Sequence, residues 1–189
     1  MKTKNLKIAA VLVMAVTFMS FTALIEKNVD VTESTVNWKG YKVTGEHEGT
    51  IKLKEGTLMF DGESLVGGNF VMDMTSINTT DLEGEYKGKL DGHLKSADFF
   101  GVEKHPTANL KITNVEGNNG KYNVKADLTI KNITQPVEFT MYTKENSASA
   151  FVKIDRTKFD IKYGSSSFFD DLKDKAIYDE FDLNVNLKF

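Results

Sequence analysis

The chain contains no cysteine among its 189 residues. That excludes disulfides, a thiol nucleophile, cysteine-ligated zinc and a lipidated N-terminal cysteine. Histidine is scarce too, and His47, His93 and His105 show neither H-x-x-x-H nor H-E-x-x-H spacing. No two of them would share one helix face as metal ligands, so no metal site is expected. A G-x-S-x-G elbow and a glycine-rich phosphate loop are both missing, and "GSSS" at Gly164–Ser167 is too generic to mark a nucleophile. The acids Asp170-Asp171 and Asp179-Glu180 are chain neighbours, which suits solvated or capping groups better than a glycosidase pair. The expectation is no catalytic residue and no cofactor.

Long hydrophobic runs are confined to the N-terminus. Lys2, Lys4 and Lys7 precede an apolar stretch from Ile8 to about Ile25, the layout of a secretory signal peptide. Ala23 is a small residue for position −1, although Phe21 fits the −3 position poorly. Residues 1–23 are therefore read as the signal, 24–33 as a short extension and 34–189 as one domain, exported to the periplasm. The alternative is an uncleaved inner-membrane anchor, since the run is near the lower length of a membrane span. Of 24 Lys and Arg, the three signal lysines are removed, leaving 21 against 27 Asp and Glu, a balance of −6. That acidic excess argues against nucleic acid and anionic membranes as partners. The oligomeric state is not legible.

What remains has period two. Val36 and Trp38 alternate with Asn37 and Lys39, and Ile51 and Leu53 with Lys52 and Lys54. Leu58 and Phe60 follow, then Phe70, Met72 and Met74 opposite Asn69, Val71, Asp73 and Thr75. Leu110 and Ile112 alternate in the next segment, then Val124, Ala126, Leu128 and Ile130. "VEFTM" carries Phe139 and Met141, and "AFVKI" and "EFDLNVNLKF" complete the series. Such alternation means strands with one dry and one wet face. Thr44-Gly45, Glu55-Gly56, Gly67-Gly68 and Gly117–Gly120 are read as turns, so neighbouring strands are antiparallel. The fold class is all-β: eight or nine such strands form a sandwich or a barrel, with one or two short helical segments in long loops. A membrane barrel would be apolar outside and polar inside, the inverse of this pattern. The lumen is expected to be lined by Trp38, Ile51, Leu53, Phe60, Phe70, Met72, Met74, Leu110, Ile112, Leu128, Ile130, Phe139 and Met141. Eight strands either fill with side chains or leave room for one small apolar ligand, and flexible methionines suit the latter.

Two segments break the alternation. Leu82, Tyr86, Leu90 and Leu94 recur at helical spacing, with Thr80 and Glu83 as a capping box and Gly84, Gly88 and Gly92 weakening the helix. The second break runs from Tyr163 to Phe181. Each contains a Phe-Phe pair, in "SADFF" and "SSFFDD". One phenylalanine of each pair is expected to anchor its loop and the other to face the lumen, giving a mouth of His93, Phe99, Phe100, Arg156, Phe168 and Phe169. His47 is read as a rim contact. Arg156 is expected to pair with a loop carboxylate such as Asp160 or Asp174, or to meet an anionic head group.

The blocks "WKGYKVTGEHEGTIKLKEG", "GGNFVMDMTSINTTDL", "LDGHLKSADFF", "HPTA", "DLTIKNITQPV" and "DRTKFDIKYGS…DKAIYDEFDL" resemble the YceI family in its order, from about Thr35 to Phe189. The resemblance implies an exported, lipocalin-like, eight-stranded antiparallel up-and-down barrel holding a long-chain isoprenoid or similar amphiphilic lipid, with no catalytic residue to carry over. Matching positions include Trp38, Gly45, His47, Gly49, Asp73, Ser76, Asp81, His93, Leu94, Ser96, Asp98, Pro106, Asp174 and Phe181. Asn132 stands where a glycine is common. The expected function is non-enzymatic lipid binding with transport or storage. The rival is a small lipid- or stress-metabolite-modifying enzyme using Ser96, His93 and Asp98 at the mouth.

Overall fold

The computed structural model describes residues 23–189. The segment read as a signal peptide, save Ala23, lies outside the described residues. The elements are β1 (Leu24–Asn28), β2 (Thr35–Lys42), β3 (Gly45–Asp61), β4 (Ser64–Thr79), α1 (Gly84–Lys95), β5 (Thr107–Asn118), β6 (Lys121–Ile130), β7 (Ile133–Lys144), β8 (Ser147–Asp155) and β9 (Ile177–Lys188). From β2 to β9 each strand pairs antiparallel with the next, and β9 returns to β2. Among the described residues the result is a closed eight-stranded up-and-down barrel with one α-helix, the architecture that the family resemblance implies.

Two of the expected turns lie inside strands. Glu55-Gly56 belongs to β3 and Gly67-Gly68 to β4. At Leu53–Glu55 the β3–β4 register slips, and the inward set changes from Ile51 and Leu53 to Leu58 and Phe60. A bulge with a strand glycine produces the same sequence signature as a turn between two short strands. A second slip lies opposite in β4, between Asp73 and Asn78. There Asp73 accepts from the Thr75 amide at 3.0 Å, and the Ser76 hydroxyl donates to the Asp73 carbonyl at 2.6 Å. Beyond it, Ile77 rather than an even-numbered residue is buried.

Residues 24–33 hold more than an extension. β1 pairs with β3 along the edge that β2 uses farther on, with Asn28 opposite Thr57 and Val36 opposite Ile51. Asp30 turns the chain between them by accepting from the Thr32 and Glu33 amides at 2.8 and 3.2 Å.

The β3–β4, β5–β6 and β7–β8 turns and β1 lie at one end, the base. Leu58, Tyr122, Val124 and Phe60 fill it, and Phe60 packs against Phe189 at 5.8 Å between ring centroids. α1 and the segment from Arg156 to Ala176 lie at the other end. The expected capping box does not form: Glu83 at the N-cap makes no side-chain cap bond, and the Thr80 hydroxyl donates to the Glu48 carbonyl instead. α1 is continuous through Gly88 and Gly92, yet none of its residues is buried, and Tyr86 is 74% exposed. Leu94 packs its last turn against the core, and polar contacts hold the rest. Lys87 Nζ donates to Asn78 Oδ1, the Thr79 carbonyl and Asp91 Oδ2 at 2.7–2.8 Å, and Asp91 Oδ1 accepts from the Thr79 amide at 2.8 Å. Burial works to raise Asp91, but Lys87 and Thr79 outweigh it and hold its carboxyl below the ordinary value.

Candidate ligand-binding site

Inside the barrel lie two apolar voids, of about 120 and 80 Å³. Val36, Met72, Leu128, Ile154 and Leu183 line both and form the waist between them. Trp38, Ile51, Met74, Ile130, Leu94, Phe99 and Phe100 complete much of the upper void, toward α1. Leu53, Phe70, Leu110, Phe139 and Met141 line the lower one. Of the lumen residues expected from sequence, only Phe60 and Ile112 face neither void; both belong to the packed base. Trp38 keeps its place through Gly49, its cross-strand partner, because any side chain there would strike the Trp38 ring and the Asn78 carbonyl. Its indole Nε1 donates to the Thr50 carbonyl at 3.2 Å.

Voids of this size are not neutral. Protein interiors leave few gaps larger than a water molecule, and at roughly 24 cal/mol per Å³ these two forgo about 3 and 2 kcal/mol. Their walls offer water almost no hydrogen-bond partner, so they are dry sites suited to an apolar guest.

The end beneath α1 is shut by a run of rings. Tyr163, His93, Phe99, Phe100 and Phe181 follow one another with centroids 4.4, 5.4, 5.1 and 6.3 Å apart, all edge-on. Edge-to-face packing of this kind adds to the burial it accompanies. Arg156 lies 5.6 Å from the Phe99 ring. Its Nε and Nη2 donate to the Tyr178 and Ile177 carbonyls at 3.0 Å, and Nη1 to Ile161 at 2.7 Å. Neither Asp160 nor Asp174 is its partner. Asp160 pairs with Lys162, and the carboxylate near Arg156 is Asp179, 3.7 Å from Nη2. Burial lowers the Arg156 pKa against the pull of Asp179 and Asp155, and the guanidinium stays charged regardless. Burial raises Asp179, but the Ser165 and Ser167 hydroxyls and Arg156 outweigh it and keep the carboxyl below its usual value.

The second aromatic pair is elsewhere. Phe168 and Phe169 are each 50% exposed and line neither void, so the mouth expected to include them is built by the first pair alone. Both hang from Ser165, whose carbonyl accepts from both of their amides, and Lys162 rather than the lumen covers Phe168. His93 sits in the ring stack and not on a void. Burial lowers its pKa, Asp98 raises it and Arg156 lowers it. Ser96, His93 and Asp98 are not joined into a catalytic chain: the Ser96 hydroxyl donates to the His93 carbonyl at 2.7 Å, and Asp98 is exposed. His47 is a rim contact, with Nδ1 2.8 Å from Asp81 Oδ2. Burial works to raise Asp81, but that contact and the Glu48 amide draw its carboxyl down.

The sequence profile of the YceI-like domain matches residues 28–189. The chain belongs to the YceI family. It is 33% identical to Protein YceI of Escherichia coli O157:H7 over 91 residues, which cover 47% of this chain and 44% of that protein. The matched segment thus spans less than half the length of that relative. Among solved structures, BcnA of Burkholderia cenocepacia aligns with a TM-score of 0.67 at 19% identity, covering 84% of this chain and 98% of that one. A polyisoprenoid binding domain from Saccharophagus degradans, implicated in plant cell wall breakdown, aligns with a TM-score of 0.58 at 14% identity, covering 87% and 97%. At those identities the likeness shows the shared barrel.

Alternation alone did not find several void-lining residues of this YceI-family chain. Ile77 lies past the β4 bulge, where parity changes. Gly40, Tyr41, Tyr178 and Glu180 line the upper void from the β2–β9 seam; Gly40 continues the series of Val36 and Trp38 without a side chain to show it, and no periodicity marks the other three. The doublet Tyr41 and Tyr178, on strands that the closed topology must join, was the available signal.

Proposed function

We propose that the chain binds a long-chain isoprenoid or similar amphiphilic lipid in the barrel lumen, and carries or stores it without chemical change. The observation that carries this reading is the pair of dry voids stacked along the axis under a ring-sealed end. Transfer of a chain into such a lumen is worth roughly 0.8 kcal/mol per CH₂. A tail of about a dozen carbons therefore outweighs association costs of several kcal/mol without a strong head-group contact. The Saccharophagus degradans neighbour is a polyisoprenoid binding domain, which supports the chemical class. The N-terminal basic residues and apolar run support export to the periplasm.

The test is extraction of the purified protein with organic solvent, followed by mass spectrometry of the extract. Co-purifying long-chain lipid at near-stoichiometric amount is the expected result. No lipid, together with no binding of long-chain probes at micromolar concentration, sinks the proposal. N-terminal mass analysis of exported protein tests the localisation; a mature chain starting near Leu24 is expected.

A further inference from the structure

We propose that the ligand enters and leaves through the side of the barrel, at the β2–β9 seam beside Gly40, and not through the end beneath α1. This rests on the lumenal binding reading above. The upper void is lined by the interior residues Ile51, Met74 and Leu128, and also by three residues of the outward register gathered at one seam, Tyr41, Tyr178 and Glu180, of which Tyr178 is 55% exposed. The lower void has a single such neighbour, Asn109.

The register explains the gap. Gly40 pairs with Phe181 and Lys42 with Ile177, so β9 spends four steps where β2 spends two. The surplus, Tyr178 to Glu180, bulges away from β2. β8 does not close the breach, because its last pair is Asp155 with Glu180. Backbone carbonyls at a parted seam need partners, and Arg156 supplies them to Ile177 and Tyr178. Its buried guanidinium is thus a positioning residue that props the bulge. Gly40 removes the one inward side chain that would stand in the opening: a Cβ built there meets no atom within 4 Å. Tyr41 is pinned to the rim, its hydroxyl donating to Asp182 Oδ2 at 2.6 Å. The end beneath α1, by contrast, is blocked by Phe99, Phe100 and their neighbours in the ring stack.

Gly40 carries no left-handed backbone angle, so Gly40→Leu fills the opening without strain. Tyr178→Ala, at an exposed position, widens it. The experiment is stopped-flow fluorescence of dansyl-tagged undecanoic acid with the whole mature chain, with Tm measured for every variant. A barrier placed on the path slows both directions alike. Gly40→Leu is expected to lower the on-rate by about tenfold, and the off-rate with it. Tyr178→Ala is expected to raise both rates. A raised Kd at an unchanged on-rate for Gly40→Leu would make residue 40 a wall of the site and overturn the portal. Unchanged rates in both variants overturn it as well, while leaving lumenal binding in place. Failure of the wild-type chain to bind the probe overturns both readings. Should Gly40→Leu not fold, the Tyr178→Ala rates decide alone: acceleration supports the portal, and wild-type rates reject it.

Discussion

Phe99 and Phe100 follow α1, while Phe168 and Phe169 lie in the long connection between β8 and β9; both pairs sit at the same end of the barrel, flanked by serine and aspartate. Phe99 is 6% exposed and Phe100 lines the upper void, whereas Phe168 and Phe169 remain half in solvent. The difference lies in what anchors each loop. The first is tied to the end of α1 by four amides: Phe99 and Gly101 donate to the Ser96 carbonyl, Phe100 to Leu94 and Val102 to Lys95. That tight turn delivers both rings into the lumen end. The second loop is rooted earlier, by Phe159, Ile161 and the fully buried Ser165. Its aromatic pair comes after the anchor and has nothing left to bury against. Like sequence patterns thus acquire opposite roles from the hydrogen bonds upstream of them.

The largest effect that tests this contrast is expected at Arg156, which joins the two loops. Arg156→Ala strands the carbonyls of Ile161, Ile177 and Tyr178 and exposes one face of Phe99. A loss of about 3–5 kcal/mol is expected in urea unfolding, the range for breaking a buried charged network. A loss under about 1 kcal/mol would mean that the loops are not coupled through it. Phe99→Ala comes next, at about 3 kcal/mol for a buried ring, together with weaker retention of a bound long-chain probe. If stability falls with retention untouched, Phe99 is core and not a plug.

The all-β class was legible because inward and outward residues alternate within short windows, and the closed barrel was legible only through the family blocks. The alternation became illegible wherever parity changes. At Glu55-Gly56 and Gly67-Gly68 a register shift mimics a turn, and nothing in a window of five residues distinguishes them. β1 was missed since Leu24–Asn28 has little alternation and owes its pairing to the long β3 edge. Most void-lining side chains could be named from parity alone. The portal residues could not, since a seam between the first and last barrel strands is a long-range property. Arg156 was misassigned for a similar reason: carbonyl acceptors leave no trace in side-chain identity, so a search for its partner turned to carboxylates.

A smaller effect separates the polar clamp of α1 from the apolar plug behind it. Asp91 and Asp179 both have carboxyls held below their ordinary value in the folded chain. A depressed folded pKa contributes stability that is fully present above the unfolded value near ~3.9 and is lost as pH falls through the folded values. Melting temperature is therefore expected to drop below about pH 4. Asp91→Asn should flatten part of that drop, because the amide oxygen still accepts from Thr79 while the charge facing Lys87 is gone. An unchanged acid profile in Asp91→Asn would place the pH response elsewhere than the clamp.

The smallest expected effect is the sharpest test of the contrast between the pairs. Phe168→Ala and Phe169→Ala remove rings that are half exposed and that close no void, so each should shift stability by no more than about 1 kcal/mol. Exposed apolar surface of this kind promotes self-association, and the double substitution should, if anything, improve solubility. Probe retention should match that of the unsubstituted chain, in opposition to Phe99→Ala. If Phe168→Ala or Phe169→Ala instead releases the probe as readily as Phe99→Ala does, the second loop folds over the lumen when ligand is bound. The asymmetry between the loops would then belong to the empty barrel only, and the two Phe-Phe pairs would be equivalent halves of one closure.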